Sequence, residues 1–300
     1  NMSKREVEEE LQSACVRFAD DPLGFVRFMF DWGQGELTGE DGPDAWQADV
    51  LMEIAAYCQR LIKFQAGVAE NPGPFQLAVA SGHGIGKSAL VSWIILWFMS
   101  CRQNPTIKVT ANTEQQLATT TWRELSLWHK RIHTKHWFTW TATKFYHNGN
   151  PETWYASAIA WSESNPEAFA GTHSINTMML FDEASNIADS IWEKADGAMS
   201  TLGAMWLCFG NPTRNTGRFR ECWGRFRDRW ITFEVDCRKA KHADQKQIAE
   251  WIADYGIDSD FVRVRVLGKP PRTGSLQFIP TNLVEEAMER KIDHNTIPES

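Results

Sequence analysis

No two cysteines stand in a C-x-x-C arrangement; the six (Cys15, Cys58, Cys101, Cys208, Cys222, Cys237) are scattered along the chain. That excludes a zinc ribbon and a small disulfide scaffold, and leaves reduced, mostly buried thiols as the simple expectation. No apolar stretch reaches the roughly 18 residues of a membrane helix, and no signal peptide opens the chain. The longest apolar segment, ALVSWIILWFM (89–99), is expected to be a buried helix. Positive charge is not in excess: 31 Lys and Arg stand against 38 Asp and Glu, a formal net charge of −7. A chain with that balance is not a polycation built to coat nucleic acid, although a local basic surface stays open to it. Internal repeats and low-complexity tracts are absent as well.

What is present is the material of a soluble globular protein, 43% hydrophobic and 23% charged over 300 residues, enough for one large domain or two small ones. Its 15 tryptophans are expected to serve a tryptophan-rich core before they serve as binding platforms. KREVEEELQSACVRFA (4–19) places Val7, Leu11, Ala14, Cys15 and Phe18 on one helical stripe, and WQADVLMEIAAYCQRLIKF predicts a second amphipathic helix. Short strands then alternate with helices: FQLAVA (75–80), TIKVTA (106–111), TWYASAIAW (153–161), TMMLFD (177–182), AMWLCFG (204–210) and WITFEVD (230–236). Thr113 and Gln116 stand at capping-box spacing before the helix that follows the second strand. Such alternation predicts a parallel sheet covered by helices on both faces.

One loop carries most of the chemistry. SGHGIGKS (81–88) nearly matches the phosphate-binding signature G-x-x-x-x-G-K-[ST], lies after a predicted strand and opens a predicted helix. Gly82, Gly84 and Gly86 free the backbone to wrap its N–H groups around phosphate oxygens, and the following helix adds its dipole. Lys87 can reach the β- and γ-phosphates, while the Ser88 hydroxyl can hold Mg²⁺. A second signal ends the strand TMMLFD: Asp182 is placed to hold the metal's shell, and Glu183 to orient and deprotonate an attacking water. This acidic pair marks ATPases that supply their own carboxylate base. A third signal, FGNPT, projects Asn211 and Thr213 from the end of the next strand toward the γ-phosphate. The weakest, Trp46-Gln47, precedes the first strand, where a Gln could bond adenine at N6 and N7.

Together these residues resemble the ATPase motor of the large terminase subunits of tailed phages and herpesvirus-like viruses. Trp46 and Gln47 are similar to that family's adenine-reading motif, and Ser81, Gly82, His83, Gly84, Ile85, Gly86, Lys87 and Ser88 to its first phosphate motif. MMLFDEAS is similar to its second, with Asp182 and Glu183, and FGNPT to its coupling motif, with Asn211 and Thr213. FVRFMFDWGQGEL and EAFAGTHS add to the likeness, which spans roughly residues 20–280. It implies an α/β P-loop NTPase of the ASCE (RecA-like) kind, with a parallel-dominated central sheet flanked by helices. It also implies ATP and Mg²⁺ as ligands, and hydrolysis that drives double-stranded DNA into procapsids. The implied partners are a portal protein, a terminase small subunit and further copies in a ring, with no membrane, in the cytoplasm of an infected or lysogenic host cell.

The expected organisation is a helical segment over residues 1–45, the ATPase over 46–268 and a linker over 269–300. The family normally carries a nuclease after the ATPase; TNLVEEAMERKIDHNTIPES is too short to build one, so an ATPase portion without nuclease activity is expected. Two positions depart from the pattern. His83 stands where many members have arginine, and a histidine at its reference pKa of ~6.5 is mostly neutral at pH 7. Ser81 stands where Gly or Ala is usual. Two rival readings remain: the ATPase lobe of a superfamily 2 helicase or translocase, which needs a second lobe, and a non-catalytic ATP-gated assembly scaffold, which needs no Glu183. Two basic stretches are candidates for DNA contact: HKRIHTKHW, with Lys130, Arg131 and Lys135, and RNTGRFRECWGRFRDRW. The second carries Arg214, Arg218, Arg220, Arg225, Arg227 and Arg229 and could instead supply an arginine to a neighbouring copy.

Overall fold

The computed structural model describes residues 3–160 and 174–272. The EAFAGTHS segment up to His173 and the tail from residue 273 lie outside the described residues. Eight strands form one sheet: β1 (Phe75–Ser81), β2 (Thr106–Thr110), β3 (Phe138–Trp140), β4 (Lys144–His147), β5 (Tyr155–Ala158), β6 (Thr177–Phe181), β7 (Met205–Gly210) and β8 (Ile231–Val235). Their spatial order is β3-β4-β5-β2-β6-β7-β1-β8. From β5 to β8 every pairing is parallel; β3 and β4 add an antiparallel hairpin at one edge. The parallel-dominated α/β sheet expected from the alternation is therefore present, widened by a hairpin that the apolar pattern did not disclose.

Alternation along the central strands sorts the two faces. Leu77, Val79, Leu180, Leu207 and Phe209 join the larger core. It is built against α1 (Lys4–Arg17), α2 (Pro22–Met29), α3 (Ala45–Gln65) and α4 (Lys87–Cys101). Ala78, Met179, Phe181, Trp206 and Cys208 face the other way, onto Ile191 and Trp192 of α7 (Asp189–Gly197) and onto Trp230. Trp192, Trp206 and Trp230 lie within 5.1–5.9 Å of one another, so the tryptophan-rich core is real. α4 is buried nearly throughout from Leu90 to Ser100, as its apolar run demands once a sheet and helices enclose it. The six cysteines are free thiols.

The N-terminal helices are fastened to this core. The Trp97 indole donates to the Phe18 carbonyl at 3.0 Å, and Arg102 is held by Asp20 at 3.1 Å. α3 starts where Asp44 and Gln47 close a reciprocal capping box. After β2 the chain runs through α5 (Glu114–Gln116), a π-helical segment (Leu117–Trp122) and α6 (Arg123–Arg131) as one uninterrupted rod. α8 (Arg218–Glu221), α9 (Gln245–Tyr255) and α10 (Asp260–Arg265) complete the described chain. No helix among the described residues is long and apolar enough to cross a membrane.

Candidate functional site

The site lies at the carboxyl ends of the central strands, where open α/β sheets bind ligands. β7 stands between β1 and β6, so the loop after β1, the Asn211 turn after β7 and the acidic pair after β6 emerge side by side. Lys87, first residue of α4, folds back across this end: its Nζ donates to Ser81 Oγ at 2.9 Å, to the Gly82 carbonyl at 2.9 Å and to Asn211 Oδ1 at 3.1 Å. Burial lowers the Lys87 pKa, while Glu183 and Asp182 oppose the shift. Asn211 is only 2% exposed and its amide nitrogen has no partner. A buried, unpaired donor beside a lysine calls for an acceptor, and a phosphate oxygen would satisfy it.

The acidic pair is built from strain and burial. Asp182 is 3% exposed; its Oδ2 accepts from Thr121 Oγ1 at 2.6 Å and its Oδ1 from the Glu183 amide at 2.9 Å. Glu183 adopts φ 50, ψ 40, the left-handed region, a conformation that costs a non-glycine residue about 1–3 kcal/mol and clusters at functional sites. Burial raises the Glu183 pKa, the Asp182 charge raises it further, and Lys87 opposes both. That is the setting of a carboxylate tuned toward proton uptake. Among the described residues no three His, Cys, Asp or Glu side chains group to hold a metal alone. A carboxylate at 182 and a hydroxyl at 88 are nonetheless the hard oxygen donors that suit Mg²⁺, which keeps most of its waters and shares phosphate oxygens.

The loop is fixed from outside. Gly86 has φ 86, and a Cβ there would meet Gln47 Nε2 at 2.9 Å; Gln47 donates that amide to the Gly86 carbonyl and accepts from the Asp44 amide with its oxygen. Both polar ends of Gln47 are thus spent on α3 and the loop, while Trp46 is 8% exposed and packs in the core with its indole N–H unpartnered. His83 donates its amide to the Arg265 carbonyl, and its backbone oxygen accepts the Cys237 thiol. Partial desolvation, then the Lys87 and Arg265 charges, lower the pKa of the His83 imidazole, whose residue remains exposed to solvent. The buried Cys237 thiol is pushed up to about 11 by desolvation. Ile85 is buried and Ser88 partly so. Thr213 turns to Ser185, hydroxyl to hydroxyl at 3.0 Å, and so ties the Asn211 turn to the loop after Glu183 without reaching Lys87.

Sequence reasoning missed two parts of the site. Thr121 sits in an ordinary-looking helix and declares nothing by spacing. A cavity of about 270 Å³ opens beside Gly86 and Gln47, walled by Trp32, Trp93 and Trp128, whose rings lie 5.0–5.8 Å apart. The Trp93 indole N–H is buried without a partner. Trp93 follows Lys87 in the helix that the loop opens, so its proximity was readable; the convergence of Trp32 and Trp128 was not.

No protein-family model matches the chain. A protein described as "Probable terminase, large subunit" of Enterobacteria phage P7 is 26% identical over 228 residues, which cover 72% of this chain and 46% of that protein. The chain thus spans about half the length of the curated relative it matches. Among solved structures, the HK97 bacteriophage large terminase matches with a TM-score of 0.57 at 13% identity, over 84% of this chain and 55% of that one. The Thermus phage P74-26 large terminase ATPase domain matches with a TM-score of 0.51 at 13% identity, over 68% and 92%. The fold is that of a phage large-terminase ATPase domain. The large terminase of the thermophilic bacteriophage D6E in complex with ADP matches too, with a TM-score of 0.52 at 13% identity, over 70% and 52%. The terminase resemblance read from the four motifs holds, and in this terminase-like fold the two phosphate motifs and Asn211 stand together while Trp46 stays in the core.

Proposed function

We propose that this chain is the ATP-hydrolysing motor portion of a terminase large subunit, in which hydrolysis drives double-stranded DNA into procapsids. The observation that carries the reading is the meeting of Lys87, Asn211 and the Asp182–Glu183 pair at the ends of three adjacent strands. On this reading Lys87 leaves its present acceptors for the β- and γ-phosphates, and Asn211, freed from Lys87, meets the γ-phosphate. The loop amides from Gly82 to Lys87 cradle the remaining oxygens. Glu183 takes the proton of the attacking water at its carboxylate, a step its raised pKa favours. Bound Mg²⁺, held by Ser88 and Asp182, supplies charge neutralisation at the phosphates. Adenine enters the cavity of Trp32, Trp93 and Trp128, where ring stacking and the Trp93 N–H offer recognition; Gln47 fixes the loop and does not read the base. Thr213 and Ser185 link the phosphate-facing turn to the catalytic loop.

The partners follow from the same reading: DNA, a portal protein, a terminase small subunit and further copies of the chain in a ring, in the cytoplasm of an infected or lysogenic host cell. Phosphate release from Mg²⁺-ATP tests the proposal. The parent should turn over, and Lys87→Ala should abolish turnover by removing the cation at the phosphates. Undiminished release by that variant would sink the assignment; a parent that binds ATP without any release would point to the scaffold instead.

A further inference from the structure

We propose that Thr121 is a positioning residue of this site: presented by a π turn, its hydroxyl fixes the Asp182 carboxylate and so sets the hold on the divalent cation. The inference rests on the nucleotide reading above and adds to it a residue that no phosphate motif contains. The bond is short, 2.6 Å from Thr121 Oγ1 to Asp182 Oδ2, and both residues are enclosed, at 1% and 3% exposure. A hydrogen bond to a charged group in such a place is among the strong ones.

The local backbone is shaped for it. A helical threonine usually satisfies its hydroxyl on the carbonyl one turn back, and Thr119 does so, donating to Gln115 at 2.7 Å. Thr121 instead crosses to the end of β6. It lies in the π segment Leu117–Trp122, a rare conformation that recurs at functional sites. In that wide turn two successive side chains go inward: Trp122 is buried in the larger core and donates its indole N–H to the Thr141 carbonyl, while Thr121 reaches the carboxylate. The end of β6 is itself pinned to β2, since the Asp182 amide donates to the Thr110 carbonyl at 2.8 Å. An ionised carboxylate has about four acceptor positions; Thr121 and the Glu183 amide take one on each oxygen. Both oxygens are thereby locked in place, with a lone pair left on each for the cation's water shell.

The test is a Mg²⁺ titration of the binding of a fluorescent ADP to the purified chain, with thermal unfolding measured alongside. Thr121→Val, of similar shape without the hydroxyl, should raise the Mg²⁺ concentration for half-maximal binding by about 10–100-fold, the usual cost of an outer-shell partner. Metal-free ADP binding should be unchanged, and Thr121→Ser should restore the parent's Mg²⁺ dependence. A variant that melts earlier yet keeps the parent's Mg²⁺ dependence, or a serine variant no better than the valine one, would overturn the inference. Should Thr121→Val not fold, Thr121→Ala is read by the same criteria. A parent that binds no ADP with or without Mg²⁺ would overturn the nucleotide reading itself, whereas one that binds ADP without regard to Mg²⁺ would overturn the inference alone.

Discussion

Glu183 combines three features that rarely coincide by chance: a left-handed backbone, burial, and a like charge as its sequence neighbour. The last two raise the energy of the ionised folded state. A carboxyl whose folded pKa lies above its unfolded value stabilises the fold fully below that unfolded value, near 4.5, and loses the contribution as pH rises through the folded pKa. At pH 7 Glu183 is therefore a net cost to stability. Glu183→Gln should melt at a higher temperature than the parent at pH 7, with the gap closing as the pH is brought toward 4.5. The same variant should keep nucleotide binding and lose roughly 10²–10⁴-fold in turnover. Calorimetry across pH checks the first outcome and steady-state kinetics the second; a Gln variant of unchanged melting at both pH values would mean the side chain is not held in this environment. The meeting of Lys87, Asp182, Glu183 and Asn211 was legible because their motifs end neighbouring strands or open the helix between them. The contact of Gln47 with the loop was not legible, since only the folded chain places its amide on the Gly86 carbonyl.

At the scale of elements, the strands that carry the site were readable because buried parallel strands are short apolar runs bounded by turns. The hairpin of β3 and β4 was not: it has only 3 and 4 residues, half-buried, with Lys, His and Thr among them. The docking of α10 on the loop after β1 was hidden, for it depends on what glycine lacks. A Cβ on Gly82 would come within 2.1 Å of the Arg265 carbonyl and 2.3 Å of Cys237 Sγ. Gly82→Ala should therefore lever α10 away, lowering the melting temperature and weakening ATP binding together; unchanged values for both would mean that α10 yields freely. The arginine segment after Asn211 holds six arginines against two acids, Glu221 and Asp228. Three of the guanidinium groups crowd one ring, with Arg218, Arg225 and Arg229 at 3.9, 5.1 and 5.2 Å from the Phe226 centroid. Arg131, by contrast, is tied to Glu36 at 2.8 Å. On the packaging reading, the later stretch is the better candidate surface for DNA phosphates. Binding of duplex DNA should weaken steeply with salt, and Arg225→Ala and Arg227→Ala should each lower the log–log salt slope by about 0.9. An unaltered slope in the double variant would move the contact elsewhere.

On the proposed reading the site offers a nucleotide two carboxylates, one lysine and one histidine, and phosphoryl transfer calls for more positive charge than that. Among the described residues, no arginine side chain hydrogen bonds to Lys87, Asp182, Glu183 or Asn211. An arginine brought by a neighbouring copy is the usual remedy and contributes about 10³–10⁵ in rate. Arg218 is not free for that role: its side chain is 13% exposed and lies over Trp192 and Phe226. Of the other five, Arg214 and Arg220 line one small pocket with Pro212, the residue after Asn211, and are the nearest candidates in the chain to that turn. Turnover per molecule should therefore rise with protein concentration. Mixing Glu183→Gln protein with Arg214→Ala or Arg220→Ala protein should restore activity that neither has alone, because a mixed assembly contains interfaces with both an intact base and an intact arginine. The check is phosphate release from the mixtures at high concentration, compared with each variant at the same total protein. Turnover independent of concentration in a chain that sediments as a monomer would place the whole catalytic charge within one copy.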